Sequence, residues 1–312
     1  MTYVSVRLAV LTQQNGIPLL RVIFMRVLCI MGAFYLAALV FLWAGRRGNV
    51  SRKLAAVVSA VCLLAGSGAL AAAVYPWGNS YGITVNRLQD LPGGVKPAPQ
   101  SGKSVSPVAA AGGYMALTFD DGPYPPYTDR LLDVLKEKKA HATFFLVVEQ
   151  AQRHPELVKR ALAEGHTVGL HAFRHRDFLK LTEEERQNDL ALGKKVLHDI
   201  TGKEPVYWRP PHGFRDFSVM EVAAAEKLTV VNWSVIPRDW TGIGKQEIHN
   251  RVMDKAENGS IVLLHDGDSP FYKASRQATV DAVALLIDSL REKGYHLVSL
   301  EEYVQAEKRP GQ

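Results

Sequence analysis

From residue 114 onward the chain alternates short apolar runs with longer stretches whose apolar positions recur every three or four residues. The runs at 114–119 (YMALTF), 142–147 (ATFFLV), 167–171 (TVGLH), 206–210 (VYWRP), 228–235 (LTVVNWSV), 260–265 (SIVLLH) and 295–300 (YHLVSL) predict strands. They are apolar on both faces, the pattern of a parallel sheet covered by helices. The stretches between them predict helices at 128–139, 155–164, 182–199, 216–226, 245–256 and 275–292. The first places Leu131, Leu132, Val134 and Leu135 on one side and lysines on the other. Pro155 sits near the start of the second, where proline is tolerated. Thr182 and Glu185 have the spacing of a capping box at the start of the third. Repeated strand–helix units predict an α/β fold, a (β/α) barrel of about seven units.

The first 78 residues follow a different pattern. Residues 27–45 and 54–74 contain no charge, and each run is long enough to predict a membrane-spanning helix. GRRGNVSRK lies between them. A basic loop joining two spans belongs in the cytoplasm by the positive-inside rule, which would put everything after residue 74 on the outer face. The rival reading is a signal peptide with Arg46–Lys53 as its basic region, giving a secreted domain after cleavage. The expected organisation is then a membrane region at 1–78, a flexible tether at 79–112, a catalytic domain at 113–304 and a tail at 305–312. The tether expectation rests on the Pro, Gly and Ser content of DLPGGVKPAPQSGKSVSPVAAAGG.

Charge refines this division. The chain carries +6, yet residues 1–78 hold seven basic residues and no acidic one, leaving −1 for the remainder. The basic character therefore belongs to the N-terminal region, and nucleic acid is not an expected partner. Cys29 and Cys62 both precede the main domain, so neither a disulfide framework nor a cysteine metal site is expected there. The domain is expected to be monomeric.

Polar residues cluster where the predicted strands end, the position of a barrel's active site. In TFDDGP, Asp120 and Asp121 are adjacent carboxylates that repel unless a cation holds one of them. The bland alternative is an Asp-rich turn. His171 and His175 form HxxxH, and two neutral imidazoles with one aspartate oxygen suit zinc with a position left for water. Taken alone, that pair reads more readily as two partly exposed loop histidines, and the paired aspartates reverse the preference. Arg209, fixed by two following prolines, can orient a carboxylate. His265 in LLHD can act as a general acid, with Asp239 raising its basicity. Trp240 and Leu263 can wall a small pocket, or simply pack in the core.

In order, TFDDGP, HAFRH, RPPHG, SVIPRDW and LLHD resemble the five motifs of the polysaccharide deacetylases of carbohydrate esterase family 4, the NodB-homology domain. The resemblance covers roughly residues 113–304. It implies a distorted (β/α) barrel and one divalent ion, zinc by default with Co²⁺ or Ni²⁺ as alternatives, held by Asp121, His171 and His175. It further implies Asp120 as catalytic base, steadied by Arg209, and His265 as general acid, partnered by Asp239. The backbone N–H of His212 would be the oxyanion donor, with Trp240 and Leu263 forming the acetyl pocket. Three positions depart from the family pattern. Ala172 replaces the usual Ser or Thr, His212 a common Tyr, and Ile236 a usual Asp. None of these removes a ligand, the base or the acid.

The expected activity is metal-dependent hydrolysis of N-acetyl groups on an extracytoplasmic polysaccharide, peptidoglycan or a chitin-like glycan. The alternatives are an O-acetyl xylan or exopolysaccharide esterase, and a membrane-tethered glycan-binding protein with a decayed site. No Gly-rich dinucleotide fingerprint or phosphate loop is present.

Overall fold

The structure is a computed structural model that describes residues 18–48, 50–74, 84–92, 113–268 and 275–307. The chain divides into two compact units, one of Met1–Ile83 with Phe214–Glu221 and one of Thr84–Gly213 with Val222–Gln312.

In the first unit, helices α1 (Pro18–Arg46) and α2 (Arg52–Val74) form a hairpin. Their approach is close near the turn, where a Cβ on Gly45 would lie 2.6 Å from the Ala55 Cβ. Farther along, Ser59 Oγ donates to the Ala38 carbonyl at 2.9 Å. Outward side chains such as Leu39 and Leu64 are exposed. The expected membrane spans at 27–45 and 54–74 need correction. Among the described residues, no helix is long and apolar enough to cross a membrane. The helices also overrun the charge-free stretches, α1 taking in Arg21, Arg26 and Arg46 and α2 starting on Arg52 and Lys53. The bilayer as a partner, and the multi-pass placement with the domain on the outer face, fall with the spans.

Among the described residues, the second unit is built on seven strands: β1 (Tyr114–Asp120), β2 (Thr143–Val147), β3 (Thr167–Ala172), β4 (Tyr207–Trp208), β5 (Thr229–Val230), β6 (Ile261–His265) and β7 (His296–Leu297). All pairings are parallel, in the order β5-β4-β3-β2-β1-β6, with β7 against the start of β1. Helices α3 (Tyr127–Glu137), α4 (Val148–Arg153), α5 (Pro155–Ala163), α6 (Glu183–Thr201), α7 (Phe217–Ala225), α8 (Lys245–Met253), α9 (Gln277–Glu292) and α10 (Leu300–Glu307) complete the chain order, the division between the units falling within α7. The expected capping box opens α6, with Thr182 Oγ1 accepting from the Glu185 N–H and Glu185 returning the contact to the Thr182 N–H. Gly202 ends the same helix in the left-handed conformation, φ 68. α9 buries Val280, Val283, Leu286, Ile287 and Leu290 on one stripe.

The expected barrel is thus a distorted one. β4, β5 and β7 have two residues each, and β5 and β6 do not pair. Chain from outside the strand series spans that gap. Val85 bridges Val231 in parallel, Arg87 bridges Ser260 antiparallel, and Val235 bridges Val262. The Val85 N–H donates to the Val230 carbonyl (2.9 Å) and its carbonyl accepts from the Asn232 N–H (2.8 Å). Leu88 and Leu91 are buried beside these bridges. Residues 84–92, read from the sequence as tether, therefore pack into the catalytic unit. The rest of that tether within 79–112, and the tail beyond Glu307, lie outside the described residues.

Candidate active site

The five motif segments converge at the C-terminal ends of β1, β3, β4 and β6. Asp120 is the last residue of β1 and is 3% exposed. The chain turns immediately, with Asp121 at φ 73. Position 122 must be glycine, since a Cβ there would lie 2.2 Å from Asp266 Oδ2. His171 lies in β3, and His175 in the turn that follows it.

Asp121, His171 and His175 offer ligand atoms that lie within 4.8 Å of one another. Asp121 Oδ1 is 3.4 Å from His171 Nε2 and 3.2 Å from His175 Nε2. It is buried without a hydrogen-bond partner. Three electron-pair donors converging around one buried, unpartnered oxygen suit a divalent cation. His171 Nδ1 contacts the Arg209 carbonyl at 2.7 Å, which places the proton on Nδ1 and leaves Nε2 as the donor atom. Burial pushes His175 down to about 4, so it stays neutral at physiological pH. Burial opposes ionisation of Asp121, but the His171 contact and the charges of His175 and His171 hold it well below the usual carboxylate range.

Arg209 is fully buried, a cost that is offset only when its donors are used. Its Nη1 donates to Asp120 Oδ1 (2.6 Å) and Thr118 Oγ1 (2.8 Å). Its Nε and Nη2 donate to the Val231 and Asn232 carbonyls at 3.0 and 2.7 Å. The guanidinium carbon also sits 4.1 Å from the Phe145 ring centroid. Asp120 is therefore held from one side, while its Oδ2 lies 3.9 Å from His171 Nε2.

His265 ends β6. Its Nδ1 meets Asp239 Oδ1 at 2.8 Å, and its backbone N–H donates to Asp239 Oδ2 at 2.9 Å. Burial works to lower the His265 pKa, but Asp239, by charge and hydrogen bond, and then Asp121 and Asp120, raise it to about 9. Trp240 stands edge-on to the His265 ring at 5.1 Å. Leu263 lies two residues before His265 and so shares its face of β6. His212 sits at φ 61 in the turn after RPP, its ring 4.8 Å from that of His175.

Several buried polar residues were not singled out from the sequence. Asp266 accepts from Thr128 Oγ1 at 2.6 Å, and burial pushes its pKa up to about 7. The LLHD motif contained it. Thr279 donates to Asp239 Oδ2 at 2.9 Å, and Asp189 accepts from the Phe173 N–H at 2.7 Å. Both sit on helices distant in sequence, where no local pattern marks them. His166 is also buried, with Nδ1 accepting from the Ala142 N–H at 3.2 Å.

A parallel barrel with a buried Asp–His–His cluster, flanked by an Arg-held carboxylate and an Asp-held imidazole, defines a metal-dependent hydrolase. Comparison with known proteins narrows the class. The polysaccharide deacetylase family model matches residues 108–231. A peptidoglycan-N-acetylglucosamine deacetylase of Bacillus cereus is 39% identical over 193 residues, 61% of this chain and 88% of the relative. A chitooligosaccharide deacetylase of Sinorhizobium fredii is 35% identical over 192 residues, 60% of this chain and 89% of the relative. Among solved structures, the Bc1960 peptidoglycan N-acetylglucosamine deacetylase superposes with TM-score 0.58 at 34% identity, covering 64% of this chain and 91% of that one. The chain belongs to the polysaccharide deacetylases of carbohydrate esterase family 4. It is an enzyme, a metal-dependent hydrolase of N-acetyl groups on polysaccharide.

Proposed function

We propose that the substrate is the N-acetylglucosamine of peptidoglycan and that the ion is zinc. The observation that carries the chemical reading is the placement of two separately anchored groups, Asp120 and His265, at one strand end beside the Asp121–His171–His175 cluster. The relatives named for peptidoglycan and chitooligosaccharide support the substrate class. An ion held by Asp121, His171 and His175 would polarise the acetyl carbonyl and make water a stronger nucleophile at neutral pH.

The chain's own groups divide the remaining work. Asp120, oriented by Arg209 through Oδ1, accepts the proton of the attacking water. The backbone N–H of His212, the turn residue whose ring meets that of His175, would donate to the developing oxyanion. His265, held protonated by Asp239, delivers a proton to the sugar nitrogen as the C–N bond breaks, because an unprotonated amine leaves poorly. Trp240 and Leu263 wall the acetyl methyl group. The products are acetate and a free glucosamine unit. Acetate release from peptidoglycan, chitooligosaccharides and acetylated xylan, measured side by side, tests the reading. Peptidoglycan should be the best substrate, and faster release from xylan would replace the amidase reading with an esterase.

A further inference from the structure

The two histidines of the metal cluster are held in different ways. His171 is locked twice, by its place in β3 and by its Nδ1 contact with the Arg209 carbonyl at 2.7 Å. His175 has no strand around it, and its Nδ1 is buried with no hydrogen-bond partner outside its own residue. Metal-bound imidazoles usually gain their orientation from a partner on the second nitrogen. His175 meets the His171 and His212 rings, and beyond those contacts its orientation is carried by the backbone of the turn at 172–176.

Glu185 and Glu149 meet the exposed side chains of Arg176 and Arg174, but a buried side chain from outside the turn bonds its backbone. Asp189, on α6 and 5% exposed, accepts from the Phe173 N–H through Oδ1 at 2.7 Å. Its Oδ2 lies 3.7 Å from Arg176 Nη2, and the Arg174 backbone bonds to the same carboxylate. It thus touches residues on both sides of His175 and neither imidazole. Residue 172 is alanine and has no side-chain donor to share the task.

We infer that Asp189 is a positioning residue for the metal site, setting the His175 imidazole by pinning the backbone of the turn between the two histidine ligands. The inference rests on Asp121, His171 and His175 holding the ion. Two measurements on the full chain test it. The first is Zn²⁺ affinity by chelator competition. The second is the imidazole NMR resonances of the metal-free protein, with His171 as the internal control. In Asp189→Ala the Zn²⁺ affinity should fall by ~10–100-fold, the usual range for loss of an outer-shell partner. The His175 resonances should move while those of His171 stay. Asp189→Asn keeps an acceptor for Phe173 but loses the charge facing Arg176, and should fall between wild type and alanine. It carries both measurements if the alanine variant does not fold. Unchanged affinity, or equal displacement of both rings, overturns the inference. Wild-type protein that binds no Zn²⁺ would instead overturn the metal assignment on which it depends.

Discussion

Asp120 and His265 are register partners across the parallel β1–β6 ladder, the last aligned pair before both strands end. The ladder fixes their separation, and each is anchored from elsewhere in the barrel. Arg209 after β4 grips Asp120 at 2.6 Å, and Asp239 after β5 grips His265 at 2.8 Å. The proposed proton acceptor is thus paired with a cation and the proposed proton donor with an anion, an arrangement that separates acid from base before substrate arrives.

The first prediction separates the two adjacent aspartates. Asp120→Asn should retain the ion, because Asp121, His171 and His175 are untouched, and should lower the rate by about 10²–10⁴-fold. His171→Ala and His175→Ala should lose both ion and activity. Metal analysis beside acetate release checks this. Full metal occupancy with both histidines replaced would remove them as ligands.

His265→Ala should keep the ion, and its defect should depend on the leaving group. An N-acetyl sugar releases an amine that must be protonated, whereas an activated aryl acetate releases a phenolate unaided. The amide should suffer more. Equal fractional losses on both substrates, with chemistry limiting the rate, would exclude the general-acid role.

The pH profile offers a third test. His265 acts only when protonated, so its contribution is present below its pKa and lost as pH rises through it. That pKa is raised to about 9, Asp239 being the largest raising influence. Asp239→Asn should therefore move the basic limb of kcat/KM to lower pH, by roughly 1–3 units for loss of an opposite charge at contact distance. A basic limb that stays in place would assign it to another group.

Residue order made the site legible where chemistry sits in consecutive residues. TFDDGP, HAFRH and LLHD each bring their groups to one strand end by local geometry, and alternation along β6 puts Leu263 and His265 on one face. The supports were hidden because they act across long sequence separations. Thr279 reaches Asp239 from 40 residues away, and Asp189 reaches Phe173 from 16. The N-terminal hairpin was over-read, since an apolar run gives composition and length but not the limits of the helix that carries it. Residues 84–92 were obscured by proximity to a Pro- and Gly-rich stretch, and TVNRL, whose apolar Val85 and Leu88 stand three apart, lacks the period-two alternation that marks a strand.

That segment supplies the last prediction. β5 and β6 leave a gap in the barrel, and Val85 and Arg87 bridge to either side of it, at Val231 and Ser260. Leu88 is completely buried, its N–H donating to the Gly259 carbonyl at 2.9 Å, and Arg87 Nη2 pairs with Glu257 at 2.8 Å. The ion pair is largely exposed and should contribute little. Burial of Leu88 should dominate, so Leu88→Ala should destabilise the domain by about 2–5 kcal/mol. Arg87→Ala should cost under about 1 kcal/mol. Val231 and Asn232 lend their carbonyls to Arg209, and the Val85 bridge holds the backbone of both. Loosening the segment should therefore reach Asp120 through Arg209, lowering kcat before the domain unfolds. Denaturant titration and kcat measured at a temperature well below the transition check both parts. A shortened chain beginning at residue 93 that keeps full stability and full activity would show the segment to be a passive linker.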